Sequence, residues 1–163
     1  MTEIRSGLGF DLHPLVAGRP LILGGVTVPG PRGLGGHSDA DVLTHAICEA
    51  LLGALALGDL GRLFPDTDPR YANISSQELL RGVIEVVAST GASPLNVDAT
   101  VICQVPRLAA FIDQMAARLA ETMKLAPGRV SVKAKSPEGL GLLGREEGIA
   151  AMAVVAVQVR STS

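Results

Sequence analysis

The stretch Ile149 to Val159 narrows the fold more than any other part of the chain. Ten of its eleven residues are apolar, and only Gln158 interrupts them. A membrane span needs about 20 such residues, so even with Gly148 added this run is too short to cross a bilayer. It suits a β-strand covered on both sides, because a strand with one wet face would alternate with polar residues. The rest of the chain must supply that cover. Hydrophobic residues make up 47% of the 163 positions and charged residues only 18%, which excludes a disordered chain. The length fits one domain, residues 1–163, able to bury roughly 70% of its unfolded surface. The apolar surplus points beyond that core to surface buried between subunits.

Charge and composition also exclude partners. Fourteen Lys and Arg against sixteen Asp and Glu leave a net charge of −2, with no excess to neutralise a phosphate backbone. Aromatic residues are 2% of the chain, too few for a base-stacking surface, so nucleic acid is not expected. Cys48 and Cys103 lie in apolar runs and form no Cys-x-x-Cys pair, which reads as buried free thiols in a reducing compartment. Residues 1–10 carry Glu3 and Arg5 and lack the apolar core of a signal peptide, so a cytoplasmic protein without membrane contact is expected.

The periodicities place the elements. Ile4 to His13 alternates, with Ile4, Leu8, Phe10 and Leu12 on one face and Arg5, Gly7, Gly9, Asp11 and His13 on the other. Gly24-Gly25 between Leu21–Leu23 and Val26–Val28 signals a hairpin. Residues 29–36, rich in Gly and Pro, read as a mobile loop. Ser38-Asp39-Ala40-Asp41 opens a helix running to about Leu57, and residues 59–70 read as loop. Ser75-Ser76-Gln77-Glu78 opens a second helix closed by Gly91, and Leu95 to Val105 is a strand. Leu108, Phe111, Ile112, Met115 and Leu119 give a third helix, and Val130 to Ala134 a further strand. The expected class is α+β (mixed α/β), a mixed sheet with helices on one face. The other sheet face then needs a partner subunit.

The three histidines, His13, His37 and His45, all fall in the first third of the chain. Asp11 and His13 leave the same face of a strand, with Gly7 and Gly9 keeping that face open. His45 follows Asp41 by four residues on one helix face. One carboxylate and two imidazoles are the ligand set of a zinc site with an open fourth position, whereas a single histidine more often satisfies an ordinary polar contact. Asp41 fits a helix cap better than a partner orienting His45. Lys133 to Gly139 reads either as a solvated strand edge or as a phosphate and divalent-cation site. Asp59-Leu60-Gly61 fits a turn or a ribose-hydroxyl clamp, and Arg145 a surface charge or an anion contact. Gly7-Leu8-Gly9 is followed by no helix, so it is not a dinucleotide fingerprint.

Taken together, several runs closely resemble the 2-C-methyl-D-erythritol 2,4-cyclodiphosphate synthase family of the non-mevalonate isoprenoid pathway. They are Gly9-Phe10-Asp11-Leu12-His13, His37-Ser38-Asp39-Ala40-Asp41-Val42-Leu43-Thr44-His45, Leu57 to Pro69, Asn96 to Thr100, Gln104 to Arg107, Lys133 to Glu138 and Gly148-Ile149-Ala150. The resemblance implies that Asp11, His13 and His45 hold Zn2+ and that His37 and Ser38 contact the phosphorylated methylerythritol from a mobile loop. It implies that Asp59 and Gly61 contact nucleotide or substrate hydroxyls and that Asp66 lines the methylerythritol pocket. The segment Cys103 to Ala109, with Pro106, Arg107 and Leu108, would read cytosine. Ala134, Lys135 and Ser136 would meet the phosphates, and Glu138 would hold a second cation, Mg2+ or Mn2+. His37, Ser136 and Glu138 are then the catalytic candidates. The resemblance further implies a homotrimer with sites between subunits, a cytidine diphosphate substrate and, in some members, an isoprenoid diphosphate near Arg145. Ala40, Arg107 and Ser136-Pro137 depart from the residues common in the family, and none removes a ligand.

Overall fold

The computed structural model describes residues 2–65, 67–71 and 74–160. Five strands form one mixed sheet in the order β4-β1-β7-β5-β6: β1 (Thr2–Ala17), β4 (Arg32–Leu34), β5 (Ala92–Ile102), β6 (Val130–Lys135) and β7 (Gly148–Arg160). The apolar β7 lies at its centre, antiparallel to both β1 and β5, and only β5 and β6 run parallel. The Gly24-Gly25 hairpin joins β2 (Leu21–Leu23) to β3 (Val26–Val28) as expected, with both glycines at positive φ.

Helix α1 (Val42–Ala54) packs across β1 and β7, and α3 (Ser76–Ser89) and α4 (Ile112–Met123) continue the same layer over β5 and β6. The contact between α1 and β1 is backbone on backbone. A Cβ at Gly9 would run into the carbonyl oxygen of Ala46, and one at Gly7 into that of Ala50. The glycine face of β1 is therefore not left open; the helix fills it. Small residues on both sides bring the helix close enough for His45 to reach the strand.

Among the described residues, nothing covers the opposite sheet face. Leu8 and Phe10 on β1 are 62% and 56% exposed, and their cross-strand partners Val154 and Met152 are 48% and 41% exposed. The strand β7, expected to be covered on both sides, is covered by helix on one side only.

Other expectations shift in detail. Residues 29–36 include β4, which pairs with β1, so that segment is anchored rather than a free loop. Helix α1 ends at Ala54, three residues before Leu57, because Ala56 and Gly58 take positive φ. Residues 59–70 contain a short helix, α2 (Leu60–Leu63), and part of a 3-10 turn, Pro69–Tyr71. The last short helix is α5 (Gly141–Gly144). Among the described residues, no helix is long and apolar enough to cross a membrane.

Candidate metal centre

Asp11 and His13 sit on β1 two residues apart, and the close approach of α1 delivers His45 to the same point. Asp11 Oδ2 lies 2.9 Å from His13 Nε2 and 3.0 Å from His45 Nδ1, and the two ring nitrogens are 3.2 Å apart. Each of the three is fixed from behind. Asp11 Oδ1 accepts the backbone N–H of Leu12 at 2.9 Å, which leaves Oδ2 for the cluster. The carbonyl of Gly35 lies 2.9 Å from His13 Nδ1 and can only accept, so that nitrogen carries the proton and Nε2 presents a lone pair. The outer nitrogen of His45, Nε2, faces the hydroxyls of Ser76 at 2.9 Å and Ser38 at 3.2 Å.

The electrostatics agree with a cation-seeking site. Burial alone would raise the Asp11 carboxyl, but the hydrogen bonds and charges of His13 and His45 outweigh it and hold Asp11 well below the usual carboxylate range. Burial likewise disfavours charge on His13, and the bond to and charge of Asp11 outweigh it, so His13 lies above its ordinary value. One carboxylate oxygen and two imidazole nitrogens converging at hydrogen-bond distance form the donor set that a divalent ion fits.

The Asp41 carboxylate makes no hydrogen bond to the His45 ring; its backbone carbonyl only accepts the His45 N–H at 3.0 Å, as the first turn of the helix requires. It caps α1, accepting from the backbone N–H and hydroxyl of Thr44 and from the N–H groups of Gly24 and Gly25, and so ties the hairpin to the helix. The helix-cap reading of Asp41 holds. Burial pushes its carboxyl up against the pull of these bonds.

The cluster opens into a cavity of about 260 Å³ lined also by His37, Ser38, Glu49, Gly61 and Phe64. His37 is exposed and Ser38 is buried, on the segment that enters α1. Arg19 holds that segment, donating to the carbonyls of Gly36 and Ser38 at 2.6 Å each. Asp59 caps α2 through the N–H of Arg62, which brings Gly61 to the cavity wall. Asp66 lies outside the described residues.

The remaining candidates gather elsewhere. Cys103, Pro106, Arg107, Leu108, Ala109, Ala134, Lys135, Ser136 and Glu138 line a second cavity of about 350 Å³ at the ends of β5 and β6. The backbone N–H of Cys103 donates to the carbonyl of Lys135, which joins the two loops. Ser136 Oγ accepts the N–H of Glu138, so its own proton is free to donate outward. The Cys103 thiol donates to the carbonyl of Val105, and burial pushes it up to about 11, so it is no nucleophile. Lys133, by contrast, is spent on an exposed ion pair with Asp98 at 2.6 Å. Arg145 lines neither cavity and pairs with Glu147 at 2.6 Å.

Three polar residues about the first cavity escape the sequence reading: Ser76 and Asp39, behind His45, and Glu49, on the cavity wall. Ser75 alone caps α3, which leaves the hydroxyl of Ser76 unassigned. Asp39 is left over in the same way once Asp41 caps α1. Glu49 follows His45 by one helical turn and accepts the N–H of Leu60 at 3.0 Å, fixing α2 against the cavity. For Ser76 and Asp39 the signal is a spare polar group beside a capping residue; for Glu49 it is the one-turn spacing from His45.

Comparisons with known proteins agree on one family. The model of the YgbB family matches residues 4–158. A curated 2-C-methyl-D-erythritol 2,4-cyclodiphosphate synthase of Nitrosospira multiformis is 58% identical over 92% of this chain and 85% of its own. Among solved structures, the bifunctional IspDF of Campylobacter jejuni superposes with a TM-score of 0.94 at 41% identity over 99% of this chain. This chain spans 44% of that longer protein. The CDP-bound form of a 2C-methyl-D-erythritol-2,4-cyclodiphosphate synthase gives a TM-score of 0.87 at 38% identity, over 94% of this chain and 99% of that one.

Proposed function

The chain belongs to the YgbB family, and on that footing we propose that it converts 4-diphosphocytidyl-2-C-methyl-D-erythritol 2-phosphate into 2-C-methyl-D-erythritol 2,4-cyclodiphosphate and CMP. The observation that carries this reading is the convergence of Asp11 Oδ2, His13 Nε2 and His45 Nδ1 within 3.2 Å, at the wall of a cavity that also presents His37 and Ser38.

The reaction is intramolecular. An oxygen of the 2-phosphate bonds to the β-phosphorus, and the bond from that phosphorus to the oxygen of the departing CMP breaks. The nucleophile is already an anion near neutral pH, so no strong general base is needed. The barrier is repulsion between phosphates and the folding of a flexible substrate. Asp11, His13 and His45 would hold Zn2+, which when bound supplies positive charge to the phosphate oxygens and keeps a position open to them. His37 and Ser38 bind the phosphorylated methylerythritol, with Asp59 and Gly61 on nucleotide or substrate hydroxyls and Asp66 lining the methylerythritol pocket. Ser136 donates its free proton to the diphosphate, Lys135 faces the same charge, and Glu138 would hold Mg2+ or Mn2+ there. Backbone groups from Cys103 to Ala109 receive the cytosine. Holding the two ends in line removes orientational entropy that can account for roughly 7–11 kcal/mol of such a barrier.

One chain does not bring the two halves together. β1 and β6 are three strand spacings apart in the sheet, roughly 14 Å at about 4.8 Å each, and the two cavities have separate linings. A homotrimer, burying the bare face of β1 and β7 and pairing one subunit's metal cavity with the next subunit's second cavity, accounts for both features. It also supplies the missing cover of β7. The proposed setting is the cytoplasm, with residues 1–163 acting as one domain.

The test is product analysis with metal content measured alongside. CMP released with a cyclic diphosphate supports the reading. Inorganic phosphate or an uncyclised phosphate ester would mean a metal-dependent phosphohydrolase instead. A metal with four protein ligands and no turnover would mean a binding module.

A further inference from the structure

His45 can serve the cluster only if its Nδ1 is bare, and nothing on the cluster side dictates that. A neutral imidazole carries its proton on one nitrogen, and with the proton on Nδ1 it would simply donate to Asp11 and close the site. The decision is made on the far side of the ring. There the hydroxyl of Ser76, the first residue of α3 and fully buried, lies 2.9 Å from Nε2. Ser76 Oγ also makes a short hydrogen bond to Asp39 Oδ1. The same carboxylate accepts the backbone N–H of Ser76 through Oδ2 at 3.0 Å and that of Asp41 through Oδ1 at 3.2 Å.

We infer that Asp39 and Ser76 are positioning residues that set the tautomer of His45. The Asp39 carboxylate is surrounded by donors and takes the hydroxyl proton of Ser76. That leaves Ser76 Oγ only lone pairs to offer the ring, which favours a proton on Nε2 and a bare Nδ1 for a metal ion, against the opposite pull of Asp11 Oδ2 at 3.0 Å when no ion is bound. The opposite tautomer would set the lone pair of Nε2 against that of Ser76 Oγ at 2.9 Å. Ser38 does not reverse the outcome. Its oxygen accepts the N–H of Ala40 and keeps a proton of its own, but it lies farther from Nε2, at 3.2 Å, than Ser76 Oγ at 2.9 Å. With Ser76 as the acceptor for Nε2–H, the Ser38 proton is free to point into the cavity. The device is the carboxylate–histidine–metal arrangement with a serine inserted between carboxylate and ring. It also joins the start of α3 to the segment that carries His37 and Ser38, since the N–H of Asp39 donates to the carbonyl of Ile74.

This inference rests on the metal reading for its purpose, but it is tested without metal. In the metal-free Asp11→Ala variant, which removes the competing carboxylate on the cluster side, nitrogen-15 NMR of the His45 ring, at a pH well above the ordinary imidazole range, is expected to show the Nε2–H tautomer. The Nδ1–H tautomer would overturn the inference whatever the protein binds. Zinc affinity, measured by chelator competition, should fall about 10–100-fold in Ser76→Ala and Asp39→Asn, the range seen when the outer partner of a metal-ligating histidine is removed. Ser76→Thr, which keeps the hydroxyl, should restore most of it, and Ser38→Ala should stay within about threefold of the wild type. Wild-type affinity in both Ser76→Ala and Asp39→Asn would also overturn it. If those variants fail to fold, the tautomer in Asp11→Ala decides alone. A wild type that binds no zinc, with Nε2–H on His45 in Asp11→Ala, would overturn the metal reading and leave the relay standing.

Discussion

The two cavities are built on opposite principles. In the first, the three candidate ligands are held by regular structure: Asp11 and His13 by the long strand β1, His45 by a buried helix, and each outer ring nitrogen by a partner behind it. In the second, the groups stand at the end of β6 and on the loops that follow β5 and β6, and Ala134, Lys135, Ser136 and Glu138 are all exposed. A rigid, part-buried cluster suits an ion whose ligands must be set to within fractions of an ångström. An exposed surface on loops suits a large, flexible, charged substrate. The fold spends its stiffness where geometry is most demanding.

Substitutions in the two regions should therefore behave differently. The largest effect is expected from His45→Ala, which should lose bound zinc and turnover together, with turnover down by on the order of 10³-fold or more. Full turnover in a variant that retains no zinc would erase the distinction between the cavities. Next comes Gly9→Ala, whose new Cβ meets the Ala46 carbonyl. It should cost about 1–3 kcal/mol in denaturant unfolding and weaken zinc binding, although Gly9 touches no ligand. Unchanged stability would show that α1 can move away from β1 without loss.

Glu138→Gln, in the second cavity, should raise the Mg2+ concentration needed for half-maximal turnover by about tenfold while zinc content stays at the wild-type level, because outer groups tune a bound metal by such factors. An unaltered Mg2+ titration would remove Glu138 from that role. The smallest effect is expected from Lys133→Ala. Its ion pair with Asp98 is about half exposed on both sides, so unfolding should change by less than about 1 kcal/mol and turnover should hold.

A pH series sharpens the same contrast. In the metal-free chain Asp11 raises His13 above its ordinary 6.5, so a proton occupies the site in competition with metal. Zinc retention should be complete above that raised value and fall as pH drops through it. The metal-free protein should respond in the opposite sense. A histidine raised on folding contributes stability that is fully present below its unfolded value and lost as pH rises through the folded one. Melting curves with and without zinc across pH 6 to 8 should thus slope in opposite directions; parallel slopes would contradict the competition.

Much of the first cavity was readable before any coordinates. The spacing of Asp11 and His13 along a strand and of Asp41 and His45 along a helix reports local geometry, and local geometry is what periodicity carries. The hairpin, the three long helices and the central apolar strand follow from the same source. Other features depend on contacts between segments far apart in sequence. Ser76 meets His45 across 31 positions, and β4 pairs with β1 although its own residues are Gly- and Pro-rich. Gly7 and Gly9 announce a close approach but not what approaches, so the open face expected of them is a helix seat. The second cavity was legible through family resemblance and not through spacing, because loop residues follow no period. Its residues do share one concave surface, while Arg145 stands apart with Glu147.

Zinc-edge anomalous diffraction from crystals grown with the metal tests the central claim most directly. The account predicts one ion bound by Asp11 Oδ2, His13 Nε2 and His45 Nδ1, with its fourth position taken by water or ligand. A fourth protein ligand, or an empty cluster at saturating zinc, would contradict it.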